Sequence, residues 1–116
     1  MRPDELSRSV DTLVSAAGEG SLLAEGVADD RTKTTFVRVR ARELGEELDH
    51  ESEKLADATT DSELAAEKRA AVALADRIAT QIDQLQITPT DEAAAEQVER
   101  SLGRLASECE QLQESL

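Results

Sequence analysis

Two places in this sequence hold residue types capable of chemistry. In Glu47-Leu48-Asp49-His50 a carboxylate and an imidazole stand three residues apart, a spacing that sets them one turn apart on a helix and lets both reach a shared metal ion. Cys109 is the only thiol and lies between Glu108 and Glu110. Those two negative charges hold a thiol protonated, whereas a nucleophile needs the thiolate. Its own helix supplies no histidine as a base, so a small buried core residue is the expected role of Cys109. Gly18, Gly20 and Gly26 do not follow the spacing of a phosphate-cradling loop. A Ser-His-Asp set has only one imidazole to build on. Neither catalytic residues nor a cofactor are expected.

The Glu-x-x-His spacing of Glu47 and His50 resembles the motif of the di-iron carboxylate bundles, and that resemblance implies a metal held between four helices. The motif is used twice in such proteins, on two helices, and His50 is the only histidine of this chain. Helical phase also matters. At about 100° per residue His50 falls some 150° from the centre of the stripe formed by Val37, Ala41, Leu44, Leu48 and Leu55, and Glu47 falls on its flank. A solvated histidine among carboxylates is the simpler expectation. A metal site at Glu47 and His50 would need the symmetry of a homodimer to complete it.

A different kind of site is suggested at the start of the same segment. Phe36, the only aromatic residue, and Val39 lie off the core stripe among Arg38, Arg40 and Arg42. Aromatic and arginine side chains are enriched where proteins bind one another, so this set is a candidate partner-binding patch. The competing expectation is structural: Leu22, Leu23 and Val27 would land on Phe36 and Val39 as a broken first helix folds over the bundle end. Glu43, Glu46 and Glu47 partly neutralise the arginines within the helix.

The elements that must position these residues follow from the apolar spacing. Leu6, Val10, Leu13, Val14 and Ala17 form one helical stripe; Pro3 suits its first turn, and Gly18 and Gly20 are expected to break a helix covering residues 3–28. A second helix is expected over 31–58, despite the strand propensity of Thr34-Thr35-Phe36-Val37-Arg38-Val39. A third, over 61–86, carries Leu64, Ala71, Ile78 and Leu85 at heptad spacing. Thr88-Pro89-Thr90-Asp91 reads as a restart with Thr88 as cap and Pro89 in the first turn, opening a fourth helix over 89–115. Its Ala95, Val98, Leu102, Leu105, Cys109, Leu112 and Leu116 alternate steps of three and four, a coiled-coil-like seam. Gly45 and Gly103 each cost about 1 kcal/mol inside a helix, and they mark either close helix approach or simple tolerance. Rods of about 26 residues and about 40 Å joined by short connections predict a single all-α domain over 1–116. Its expected architecture is an antiparallel up-down-up-down four-helix bundle with a broken first helix; a helical hairpin completed by dimerisation is the alternative.

Composition narrows the function. Fourteen Leu, seven Val and three Ile with no Trp or Tyr make an aliphatic, helix-favouring core. Twenty-six acids against thirteen bases give a net charge of −13, which repels nucleic acid and the anionic membrane leaflet. The longest apolar run, Ala70 to Ala75, is far below the roughly 18 residues a membrane span needs, and Met1-Arg2-Pro3-Asp4-Glu5 opens no signal-peptide core. A cytoplasmic protein is expected. The expected role is a non-enzymatic, adaptor-like or scaffold-like one, binding another protein or a second copy through the helix-two patch or the C-terminal seam. The rival readings are a ferritin-like, metal-binding bundle assembled by oligomerisation, and a small secreted helical protein. In size the chain is similar to type VII secretion substrates, but with no Trp it has no Trp-x-Gly turn.

Overall fold

The computed structural model describes all 116 residues. Four helices account for most of the chain: α1 (Pro3–Ala28), α2 (Thr34–Asp57), α3 (Ala65–Ile87) and α4 (Glu92–Glu114), with a short 3-10 turn at Ser62–Leu64 before α3. They form the four-helix bundle that the spacing predicts, 46 Å long and 22 by 16 Å across. Polar contacts fix the alternation of direction. The Met1 amine meets the carbonyl of Thr59, just past the end of α2, and Gln113 near the end of α4 donates to the Ser7 carbonyl at the start of α1. Lys68, early in α3, donates to the Ala58 carbonyl at 2.6 Å. The most extensive packing is between α1 and α4 and between α2 and α3, with less between α1 and α2. The α1–α2 and α3–α4 seams therefore lie on opposite sides of the bundle.

One contiguous core fills the interior. Leu6, Val10 and Leu13 of α1, Val37, Leu44, Leu48 and Leu55 of α2, Ile78, Ile82 and Leu85 of α3, and Leu102 and Cys109 of α4 are all essentially inaccessible. The strand-like Thr34–Val39 stretch is helical; burying Val37 on the α2 stripe outweighs the local propensity of its neighbours. Glu51 also sits on that stripe, between Leu48 and Leu55, and is 7 % exposed with Lys54 3.8 Å away. Its place follows from the stripe, since the steps of four, three and four from Leu44 through Leu48 to Leu55 put position 51 on the core-facing side.

The first helix departs from expectation. It is not broken at Gly18 or Gly20 but runs unbroken from Pro3 to Ala28. Burial of Ala16, Ala17, Leu23 and Ala24 on either side outweighs two glycine penalties of about 1 kcal/mol each. Gly20 has a packing reason: a Cβ there would stand 2.9 Å from the Cδ1 of Leu102 and 3.1 Å from Ile82. It is the point of close approach between α1 and the α3–α4 pair. Nothing surrounds a Cβ at Gly103, and at Gly45 the nearest atom is an Asp83 oxygen at an ordinary 3.7 Å. Those two glycines are tolerated, not required.

Boundaries shift where a better cap wins. Asp91, not Thr88, caps α4, accepting from the Ala94 N–H at 3.0 Å, while the Thr88 hydroxyl turns back to the Gln84 carbonyl and closes α3. The fourth helix consequently starts at Glu92 and not at Pro89. The second starts at Thr34 instead of 31, because residues 29–31 are used to end α1. Arg31 N–H bonds to Gly26 O and Asp30 N–H to Val27 O, the paired bonds of a Schellman ending. Asp30 takes the left-handed position at φ 54°. Gly26 is needed beneath this turn, since the Thr32 side chain occupies the space where a Cβ would stand.

Candidate partner-binding site

The four large apolar side chains that remain exposed are Leu22, Phe36, Val39 and Ile87. All lie in the half of the bundle that holds the end of α1, the start of α2 and the end of α3. Leu22 and Phe36 face each other across a cleft of about 260 Å³ between α1 and α2, lined also by Glu19, Leu23, Thr32 and Arg40. Phe36 is 56 % exposed and Leu22 69 %. Val39, three residues from Phe36, continues the apolar surface along α2.

This arrangement comes from helical phase. Val37 points to the core, so Phe36 is turned about 100° away from it, onto the flank that faces α1. On α1, Leu23 and Val27 are buried. Leu22 lies one residue before the buried Leu23-Ala24 pair, and the step of about 100° carries it outside the arc that α1 turns to the core. The expectation that Leu22, Leu23 and Val27 together would cover Phe36 and Val39 is therefore corrected: α1 is unbroken, two of the three go into the core, and Phe36 stays open to solvent.

The three arginines separate. Arg40 is mostly buried by its neighbours and is clasped by Glu19 of α1, by Glu43 at 2.9 Å and by Glu47 at 3.5 Å. Partial burial works against its charge, but the hydrogen bonds to Glu43 and Glu19 and the fields of Glu19 and Glu47 outweigh that and hold the guanidinium above its ordinary range. Arg40 thus ties α1 to α2 at the floor of the cleft. Arg38 and Arg42 are exposed and form no ion pair within the chain. Each is two residues from Phe36 or Arg40 and so lies on a different side of α2. Phe36 and Arg40 line the cleft together; Val39 and Arg42 neighbour each other one turn apart on the adjoining face, outside the cleft, and Arg38 is turned away from Phe36.

Glu47 and His50 are both exposed, and Glu47 is engaged by Arg40. No three His, Cys, Asp or Glu side chains converge as a metal-binding group. Cys109 is fully buried, and burial first, then the charges of Glu108 and Glu110, push its thiol up to about 11. A thiolate nucleophile is not available there near neutral pH. The C-terminal seam is likewise spent internally: Ala95, Val98, Leu102, Leu105 and Cys109 are buried in the chain's own core, with Leu112 and Leu116 packed against it. It is not a free docking surface.

Leu22 is the candidate that a run of apolar residues conceals, because Leu22, Leu23 and Val27 read together as one apolar group although helical phase puts Leu22 well off the stripe. The signal that finds it is its helical phase, which sets it away from the stripe of Leu6, Val10, Leu13 and Ala17. No helix of the chain is long and apolar enough to cross a membrane. No protein-family model, no curated protein and no solved structure matches this sequence or fold.

Proposed function

We propose that this chain is a non-enzymatic, adaptor-like module that binds a partner protein through the Leu22, Phe36 and Val39 surface, with Arg40 fixing the cleft floor. The observation that carries this reading is the exposure of the only aromatic side chain beside an exposed leucine on a second helix. An apolar anchor presented at a preformed cleft is what protein interfaces are built around. Solvent does nothing to favour these side chains where they stand. The net charge of −13 disfavours nucleic acid as the partner, and the single cysteine, free and buried, is in keeping with action in the cytoplasm.

The test is co-precipitation from an extract of the source cells with the wild-type chain and with Phe36→Ala, alongside thermal unfolding of both. Capture of a defined partner that is lost in the variant, with the melting temperature changed by less than about 4 °C, is the expected outcome. A large fall in melting temperature would make Phe36 a core residue. Undiminished capture would move the interface elsewhere. Light scattering distinguishes a second copy from a foreign partner, because a homodimer through this surface would dissociate in the variant.

A further inference from the structure

The opposite seam of the bundle carries a different surface. Between α3 and α4 runs a groove whose part nearer the α3–α4 connection, about 450 Å³, is lined by Thr80, Gln81 and Gln84 of α3 and by Ala94, Gln97, Val98, Arg100, Ser101 and Arg104 of α4. None of the lining residues is an acid, although acids make up twenty-six of the 116 residues. Gln81, Gln84, Gln97, Arg100, Ser101 and Arg104 make no side-chain hydrogen bond or ion pair within the chain; of the lining side chains only Thr80 does, donating to the Asp76 carbonyl. Arg100 and Arg104 are one turn apart and so project side by side. This part of the groove therefore presents two guanidinium groups that form no ion pair within the chain, three free amides and a free hydroxyl, a set far richer in donors than in acceptors.

A donor-rich, acid-free pocket fits a ligand made of acceptor oxygens, and paired arginines suit phosphate or carboxylate in bidentate geometry. The boundaries of the groove limit the ligand's size. Its continuation toward the other end, sharing Thr80, Gln81, Ser101 and Arg104, meets Asp76 and Glu108, the latter paired with Arg77 at 3.4 Å. A long anionic chain would run onto those carboxylates, so a compact anion is favoured over an acidic peptide. The lining offers no aromatic ring, leaving a nucleobase nothing to stack on. The glutamine carbonyls can accept from hydroxyl groups. On these grounds we propose that the α3–α4 groove binds a small, hydroxyl-bearing phosphate ester, the phosphate held by Arg100 and Arg104 and the hydroxyls by Gln81, Gln84 and Gln97.

The experiment is an amide NMR titration of the full chain with ribose 5-phosphate, with inorganic phosphate, ribose and an aspartate-rich decapeptide as separate arms. Expected are saturable shifts centred on residues 80–84 and 97–104, and binding of ribose 5-phosphate about tenfold or more tighter than that of inorganic phosphate. Arg104→Gln and Arg100→Gln, both at exposed positions, should each weaken it about tenfold or more, while Arg38→Gln on α2 leaves it unchanged. Absence of saturable shifts up to about 10 mM, a range that corresponds to no useful affinity, overturns the proposal. So does equal binding of inorganic phosphate, tighter binding of the decapeptide, or indifference to the two α4 substitutions.

Discussion

The two ends of this bundle are built from the same aliphatic residues and finished differently. At the end that holds the start of α1 and the close of α4, Met1, Leu112 and Leu116 pack onto the core. Polar groups tie the helices together there: the Met1 amine to Thr59, Gln113 to Ser7, and Lys68 to the carbonyls of Ala56 and Ala58. At the other end, Leu22, Phe36, Val39 and Ile87 stay in solvent. The contrast shows that exposure at the open end is not a shortage of apolar material. The chain places enough leucine at one end to seal it and leaves leucine, isoleucine and phenylalanine uncovered at the other, where Leu22 and Phe36 line one cleft and carry the proposed contact surface.

Deletion of side-chain volume breaks the comparison most sharply. Leu55→Ala, at a fully buried position of the sealed end, should cost about 2 to 5 kcal/mol in urea unfolding; a cost below about 0.5 kcal/mol would mean that this end is loosely packed and the contrast false. Next in size is a pH effect at Cys109, also in the sealed half. The folded thiol ionises near 11 and the unfolded one near 9. Above pH 9 the unfolded chain thus holds fewer protons, and stability present below pH 9 is lost as the pH rises toward 11, by roughly 2 kcal/mol. Unfolding titrations at pH 8 and 11 on the wild type and Cys109→Ala would separate this loss from that of other groups, since only the wild type should show it.

Between the two ends, the glycines of α1 give a signed pair. Gly20→Leu should destabilise by about 1 to 3 kcal/mol, because Leu102 and Ile82 already occupy the space. Gly18→Ala, with nothing near its Cβ, should stabilise by up to about 1 kcal/mol. Equal signs in calorimetry would show that α1 does not approach the α3–α4 pair at Gly20. The smallest effect belongs to the open end. Leu22→Ala should shift stability by less than about 0.5 kcal/mol, and a loss comparable to that of Leu55→Ala would place Leu22 inside a core.

The helix count and the buried stripes were legible in the spacing, because a 3.6-residue period leaves little choice of core face once Leu44, Leu48 and Leu55 or Leu102, Leu105 and Cys109 are aligned. The unbroken course of α1 was not. Glycine penalties are local, whereas the burial that offsets them comes from α3 and α4, distant in sequence. The cap fell to Asp91, which accepts from the Ala94 N–H, while the Thr88 hydroxyl is taken by the Gln84 carbonyl of α3, a choice made within one polar cluster. Of the candidate site, Phe36 and Val39 were visible as off-stripe residues on α2. The separation of Arg40 from Arg38 and Arg42 follows from helical phase, but its clasp by Glu19 depends on where α1 lies. The α3–α4 groove stood least chance of being noticed, since glutamines and arginines on two exposed faces look like ordinary solvated surface until the two helices are set side by side.

The isolation of Phe36 has an optical consequence. With no tryptophan or tyrosine anywhere in the chain, the protein is nearly dark in the near ultraviolet, and its one ring stands at the rim of a cleft instead of within the core. A Phe36→Trp substitution would therefore place the sole indole at the proposed contact surface, half in water. Its emission would report the wetting or drying of that one spot, with no background from the interior.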